Sequence, residues 1–290
     1  MKLKDIENLE EELKNIDQKI SKLTNLFIAI GFDYTTYIDI EAKQDKIFEL
    51  RDNVLYRFFA SRYHLKLLLD HLRYADMQLT EQYRNIKNQN GIGLHINHEI
   101  LKKETYSLFD SFIFHLTSLF DYASNLTEYC CINNKSGTYK WPKLARSVRG
   151  NKNVWTDLPI NEIIDRIDRE FVGRLYDHRS FVIHDGSSTP SSNFSIDLMH
   201  AKCESKYLAP KKLTNRFSEL KLLSKEYDLS LEFVLVWIMN KSIESIEDII
   251  FAIKATMQKI KKFDSGHFFF KDSNGVFLPP STPYWKGYEK

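Results

Sequence analysis

From residue 46 to about residue 88 the chain contains no proline and no glycine, while Phe48, Leu55, Phe58, Phe59, Leu65, Leu68, Leu69 and Leu72 supply apolar faces. Helical spacing sustained over such a stretch predicts one long helix, and a helix of that kind must find apolar partners along its length. A second run meets that need. Residues 98 to 132 place Leu108, Phe109, Phe112, Ile113, Leu116, Leu119, Phe120, Ala123 and Leu126 at the same period. The glycines and asparagines of NQNGIGLHINHE, residues 88 to 99, separate the two. With only 10 glycines and 7 prolines among 290 residues, the expected fold is all-α.

The amino terminus carries a different pattern. Ile6, Leu9, Leu13, Ile16, Ile20, Leu23, Phe27 and Ile30 alternate spacings of three and four up to Gly31, the seam of a coiled coil or of a helix packed antiparallel within its own chain. The segment 157 to 186 predicts a further helix, begun by Asp157 or Asn161, striped by Ile164, Ile167, Phe171, Leu175 and Val182, and closed by Gly186. FSIDLM, 194 to 199, alternates as a short strand, and 214 to 226 suits a short helix. Residues 229 to 263 form a last long helix, and two apolar runs around Asn274-Gly275 predict a hairpin. The expected organisation is therefore an amphipathic helix and linker over 1–45, a helical domain over 46–265, and a hairpin and tail over 266–290.

Composition narrows the function classes. The chain is 43% hydrophobic and 28% charged, as soluble globular proteins are. Its 41 basic and 39 acidic residues leave +2, too little for a global field that would gather nucleic acid, so an RNA site has to be a local patch. Lys143, Arg146 and Arg149, interleaved with Trp141 and Trp155, form one such patch, able in principle to meet phosphates and stack bases. The longest apolar run, FVLVWIM, is far shorter than the ~20 residues of a membrane span, and the charged amino terminus is unlike a signal peptide, so a cytoplasmic protein without a membrane partner is expected. Cys130, Cys131 and Cys203 make neither a disulfide framework nor a metal pair and read as structural thiols. His95 and His98 lack the cysteines or acidic cluster that would complete a metal site; neither metal nor cofactor is expected.

The stretch DHRSFVIHDG, residues 177 to 186, combines Arg179, a polar residue, a short apolar run and His184 at the end of a predicted helix. A comparable pair, Arg57 and His64, lies mid-helix among aromatics and reads as structural, so context rather than spacing separates the two. This pattern, following long helices such as 107 to 129, resembles the signature of the HEPN superfamily of helical ribonucleases and nucleotide-binding domains, over residues 46 to 186. Ser180 stands where Asn, Asp or His is commoner in that superfamily.

The resemblance implies an HEPN-like bundle and a metal-independent endoribonuclease, in which the ribose 2′-hydroxyl attacks its own phosphodiester and leaves a 2′,3′-cyclic phosphate. It implies Arg179 and His184 as catalytic residues, Asp177, His178, Ser180 and Asp185 as supporting neighbours, RNA as substrate, a homodimer with motif helices from both subunits at one cleft, and a toxin or defence role with a neutralising protein partner. The alternative is an inert HEPN-like scaffold that binds nucleotide, RNA or protein. Chemistry agrees with the first assignment: imidazole titrates near ~6.5 and can shuttle protons, and a guanidinium forks onto phosphate. Five residues of helix turn the chain by about 500°, leaving the two side chains roughly 140° apart. Either His184 swings round where the helix unwinds at Asp185-Gly186, or two subunits share the site.

Overall fold

The computed structural model describes residues 2–39, 44–85, 92–133, 140–150, 153–185, 191–262, 270–271, 273–275, 277–286 and 288. Strand β1 (Lys2–Lys4) precedes helix α1 (Leu9–Asp33), which ends in a π-helical turn, Tyr34–Ile38. The two long helices follow: α2 (Gln44–Asn85) lies within three residues of its predicted limits, whereas α3 (Ile92–Ile132) starts six residues early and takes in most of the stretch 88–99 expected as a break. Next come α4 (Trp141–Val148), α5 (Pro159–Ile167), a π turn (Asp168–Val172) and α6 (Gly173–Asp185). Strands β2 (Ser192–Asp197) and β3 (Lys202–Tyr207), short helices α7 (Lys211–Thr214) and α8 (Ser218–Leu223), and β4 (Tyr227–Leu229) lead into α9 (Leu231–Ile260). The tail carries β5 (Phe270–Lys271), β6 (Phe277–Leu278) and α10 (Thr282–Trp285). The chain is mostly helical, and β5 and β6 pair antiparallel around Gly275, whose φ of 83° suits the glycine of the predicted hairpin.

Two compact units are present, Met1–Leu9, Phe59–Thr117 and Arg174–Met239 in one, Glu10–Phe58, Ser118–Gly173 and Asn240–Lys290 in the other. The divisions between them fall within α2, α3 and α9. In the first unit, β1 pairs parallel with β4, β2 pairs antiparallel with β3, and Ala75, Leu79, Leu94, Leu101 and Cys203 form one apolar cluster.

In the second unit the amino-terminal seam is buried within the chain itself: Ile16, Ile20, Leu23, Phe27 and Ile30 are each at most 3% exposed. From Ile16 onward the packed-helix reading of that seam holds, while Ile6, Leu9 and Leu13 are half-buried. Gly31 does not end the helix. A Cβ there would lie 2.8 Å from the Phe48 ring, so this glycine permits close packing two residues before α1 stops.

Helix 157–186 of the sequence reading is three pieces. The π turn widens the backbone, and a Cβ on Gly173 would meet the Asp168 carbonyl oxygen at 2.6 Å, so glycine is required where the turn closes. One extra residue in a helix rotates everything after it by about 100°. Both Phe171 and Val172 in the turn are buried, and Leu175 and His178 form the inward side of α6.

Candidate functional site

All of α6 from Arg174 onward belongs to the first unit, as do the stretch of α3 beside it and the groove they form. Along α3, Lys103, Ser107, Asp110 and Phe114 recur at helical spacing and face the groove; α6 supplies Arg179, Val182 and Ile183 at i, i+3 and i+4. The cavity measures about 680 Å³ and is open to solvent. Arg179 is half-buried in it. Its guanidinium sits over the Phe114 ring at 5.0 Å, and its Nε is buried without a hydrogen-bond partner. A cation held on an aromatic face at the wall of an open groove is chemically suited to an anionic ligand.

The rest of the lining is amphipathic. Asp110 is half-buried and desolvation raises its pKa. The ring of His115 stacks on that of His64 at 4.5 Å and 24°, and burial lowers the pKa of His64. His64, half of the pair set aside as structural, therefore touches a groove residue. Sequence inspection missed Lys103, Asp110, Phe114 and His115; the available signal was a polar stripe at helical period on the face of α3 opposite its apolar one.

His184 is exposed in the last turn of α6 and is not one of the groove's lining residues. The helix continues through Asp185, so it does not unwind at His184, and the separation of roughly 140° stands within one chain. Asp177 is exposed, 3.9 Å from both Arg174 and Arg216, and Ser180 is exposed. The side chain of Asp185 and the expected terminator Gly186 lie outside the described residues.

His178 departs from its assignment as a cleft neighbour. It is fully buried, its ring packs edge-on to Phe109 at 5.8 Å, and neither ring nitrogen has a hydrogen-bond partner. The cause is position, because His178 follows Leu175 by three residues on the inward stripe. Burial, assisted by the charge of Arg216, pushes its pKa down to about 4. Folding therefore favours the neutral ring: its contribution is complete above the ordinary imidazole range and is lost as pH falls through the window from about 6.5 to about 4. We expect roughly 3 kcal/mol of stability to disappear across that window. Urea titrations at pH 7 and pH 4 check this, and His178→Leu should flatten the dependence.

The basic patch is also rearranged. Trp141 and Trp155 are core residues, 0% and 1% exposed, with their indole N–H groups donated to Asp168 and to the Ser147 hydroxyl, so neither can stack a base. Arg149 donates to Asp165 and Asp168, at 2.5 Å each, and its charge is already matched. Lys143 and Arg146 are exposed, and Arg146 donates from Nε to the Pro142 carbonyl. The amphipathic pattern of α4 turns Trp141 inward, and the turn around Asn153 does the same for Trp155, which alternation of basic and aromatic letters does not reveal.

His98 is buried, hydrogen-bonded to the Ser192 hydroxyl at 3.2 Å and flanked by Phe194 and Tyr207. Among the described residues no three His, Cys, Asp or Glu side chains gather as a metal site requires. The three cysteines are buried and unpaired. No helix of the described residues is long and apolar enough to cross a membrane. Comparison with protein-family models, curated proteins and solved structures gives no match to this chain.

Proposed function

We propose that the chain is an HEPN-like, metal-independent endoribonuclease whose site is completed by a second subunit. The observation that carries this reading is Arg179: a half-buried cation in an open groove, stacked on Phe114. Its task is to hold the scissile phosphate and neutralise the charge that builds up as the 2′-hydroxyl attacks. His184, solvent-exposed on the same helix, is the proton shuttle. Because it lies about 140° from Arg179, the two act on one phosphate only when His184 comes from the other copy.

One observation favours a second reading, a groove that binds an anionic ligand without cutting it: His184 does not line the cavity that holds Arg179. A single experiment separates the two. The protein is incubated with total RNA in chelator, beside His184→Ala. Fragments ending in 2′,3′-cyclic phosphate, absent with the variant and absent when the 2′-hydroxyl is replaced by hydrogen, support cleavage. RNA that shifts in a gel but stays intact supports binding alone.

A further inference from the structure

The hairpin β2–β3 has two edges, and they are treated differently. The outer edge of β3 is covered by side chains of α2. Asp76 accepts from the Ser205 N–H at 2.6 Å, Thr80 exchanges bonds with both the N–H and the carbonyl of Cys203, and Arg84 donates to the Ala201 carbonyl. The other edge belongs to β2, which among the described residues pairs with β3 alone. The Leu208 N–H donates to the Ser191 carbonyl, which fixes the phase of the ladder: Asn193, Ser195 and Asp197 bond across to β3, and the N–H and C=O groups of Phe194 and Ile196 point away from it. No described group meets them.

The side chains of this edge are equally unfinished. Phe194 and Ile196 face the same side as the buried Cys203 and Ser205, yet remain 36% and 38% exposed because the sheet stops at two strands. Proteins usually blunt a bare edge with lysine, proline or a bulge. Ser192–Asp197 contains neither lysine nor proline, and its register with β3 is unbroken.

We infer that β2 is a dimerisation strand that pairs antiparallel with β2 of a second copy of this chain, about a two-fold axis at Ser195. The sequence SNFSID is complementary to itself in that register. Phe194 falls opposite Ile196 of the other copy and Ile196 opposite its Phe194, so these four residues exchange backbone bonds while their apolar side chains close over one another. Asn193 falls opposite Asp197, so an amide rather than a second carboxylate meets the acid. Ser195 meets itself on the axis. A closed two-fold pair also removes the edge, which an open chain of strands would not. The inference concerns assembly and does not depend on RNA cleavage.

Disulfide trapping tests it, since the native cysteines are buried. A non-hydrogen-bonded antiparallel pair brings Cα atoms to about 4.5 Å, within disulfide reach, so Ser195→Cys should link nearly all of the protein into dimers under mild oxidation. Asn193→Cys, two residues away on the same exposed edge, places its partners more than about 13 Å apart and should stay unlinked. Sedimentation of the wild type should show a dimer at micromolar concentration. Phe194→Lys should weaken it at least tenfold with an unchanged circular dichroism spectrum. A wild-type monomer throughout, or equal linking of the two cysteine variants, overturns the proposal.

Discussion

His184→Ala and Arg179→Ala are each expected to lower RNA cleavage by about 10²- to 10⁴-fold, the range that a positioned acid–base group or a preorganised cation contributes. Helical content and assembly should be unchanged. His184 is exposed, and Arg179 gives up a stack on Phe114 without breaking a hydrogen bond of its own Nε. Mixing the two dead variants is the sharper measurement. If Arg179 of one subunit works with His184 of the other, a heterodimer of the variants holds one intact site and one doubly damaged site. Random exchange then restores about a quarter of wild-type activity. Full inactivity of the mixture after verified subunit exchange sinks the shared site, and undiminished cleavage by either single variant sinks the mechanism.

Trp141→Ala should be the most damaging substitution in the second unit. The ring is fully buried, packs edge-on to Phe120 at 5.3 Å and donates its indole N–H to Asp168 at 2.8 Å. Truncation leaves a large cavity, and costs about 3–5 kcal/mol in comparable cores. Asp168 keeps its bond from Arg149, so the loss should be chiefly packing. Trp141→Phe, which refills most of the volume without the donor, should recover more than half of the loss. Denaturant midpoints of the three proteins decide this. A surface tryptophan used for base stacking would instead lower RNA affinity and leave the midpoint where it was.

The fate of Trp141 shows how far letters alone reach. A tryptophan among lysines and arginines reads equally as a stacking surface or as the buried side of a short helix. What decides is Asp121 and Asp168: one accepts from the Trp141 backbone N–H, the other from its indole. Neither is a local neighbour. Arg149 was open to the same ambiguity, and its ion pairs with Asp165 and Asp168 span 16 and 19 residues. His178 fails for a different reason. His178 lies three residues after Leu175, on the same stripe that predicts the helix, and a polar letter between Asp177 and Arg179 hides that it is the inward residue of its turn.

By itself the sequence determined the long helices, their apolar faces, the amino-terminal seam, the hairpin at Gly275 and the placement of Arg179 and His184 on one helix. These follow from spacing and turn chemistry, which act over a few residues. The tertiary structure alone decided which face of each helix would be covered: it seated Arg179 on Phe114 from α3, left His184 in solvent, buried His178 and both tryptophans, sheathed the β3 edge with α2 and left the β2 edge bare. Helical period says which side chains share a face, but burial of that face depends on partners many tens of residues away, and a single inserted residue changes which face is presented to them.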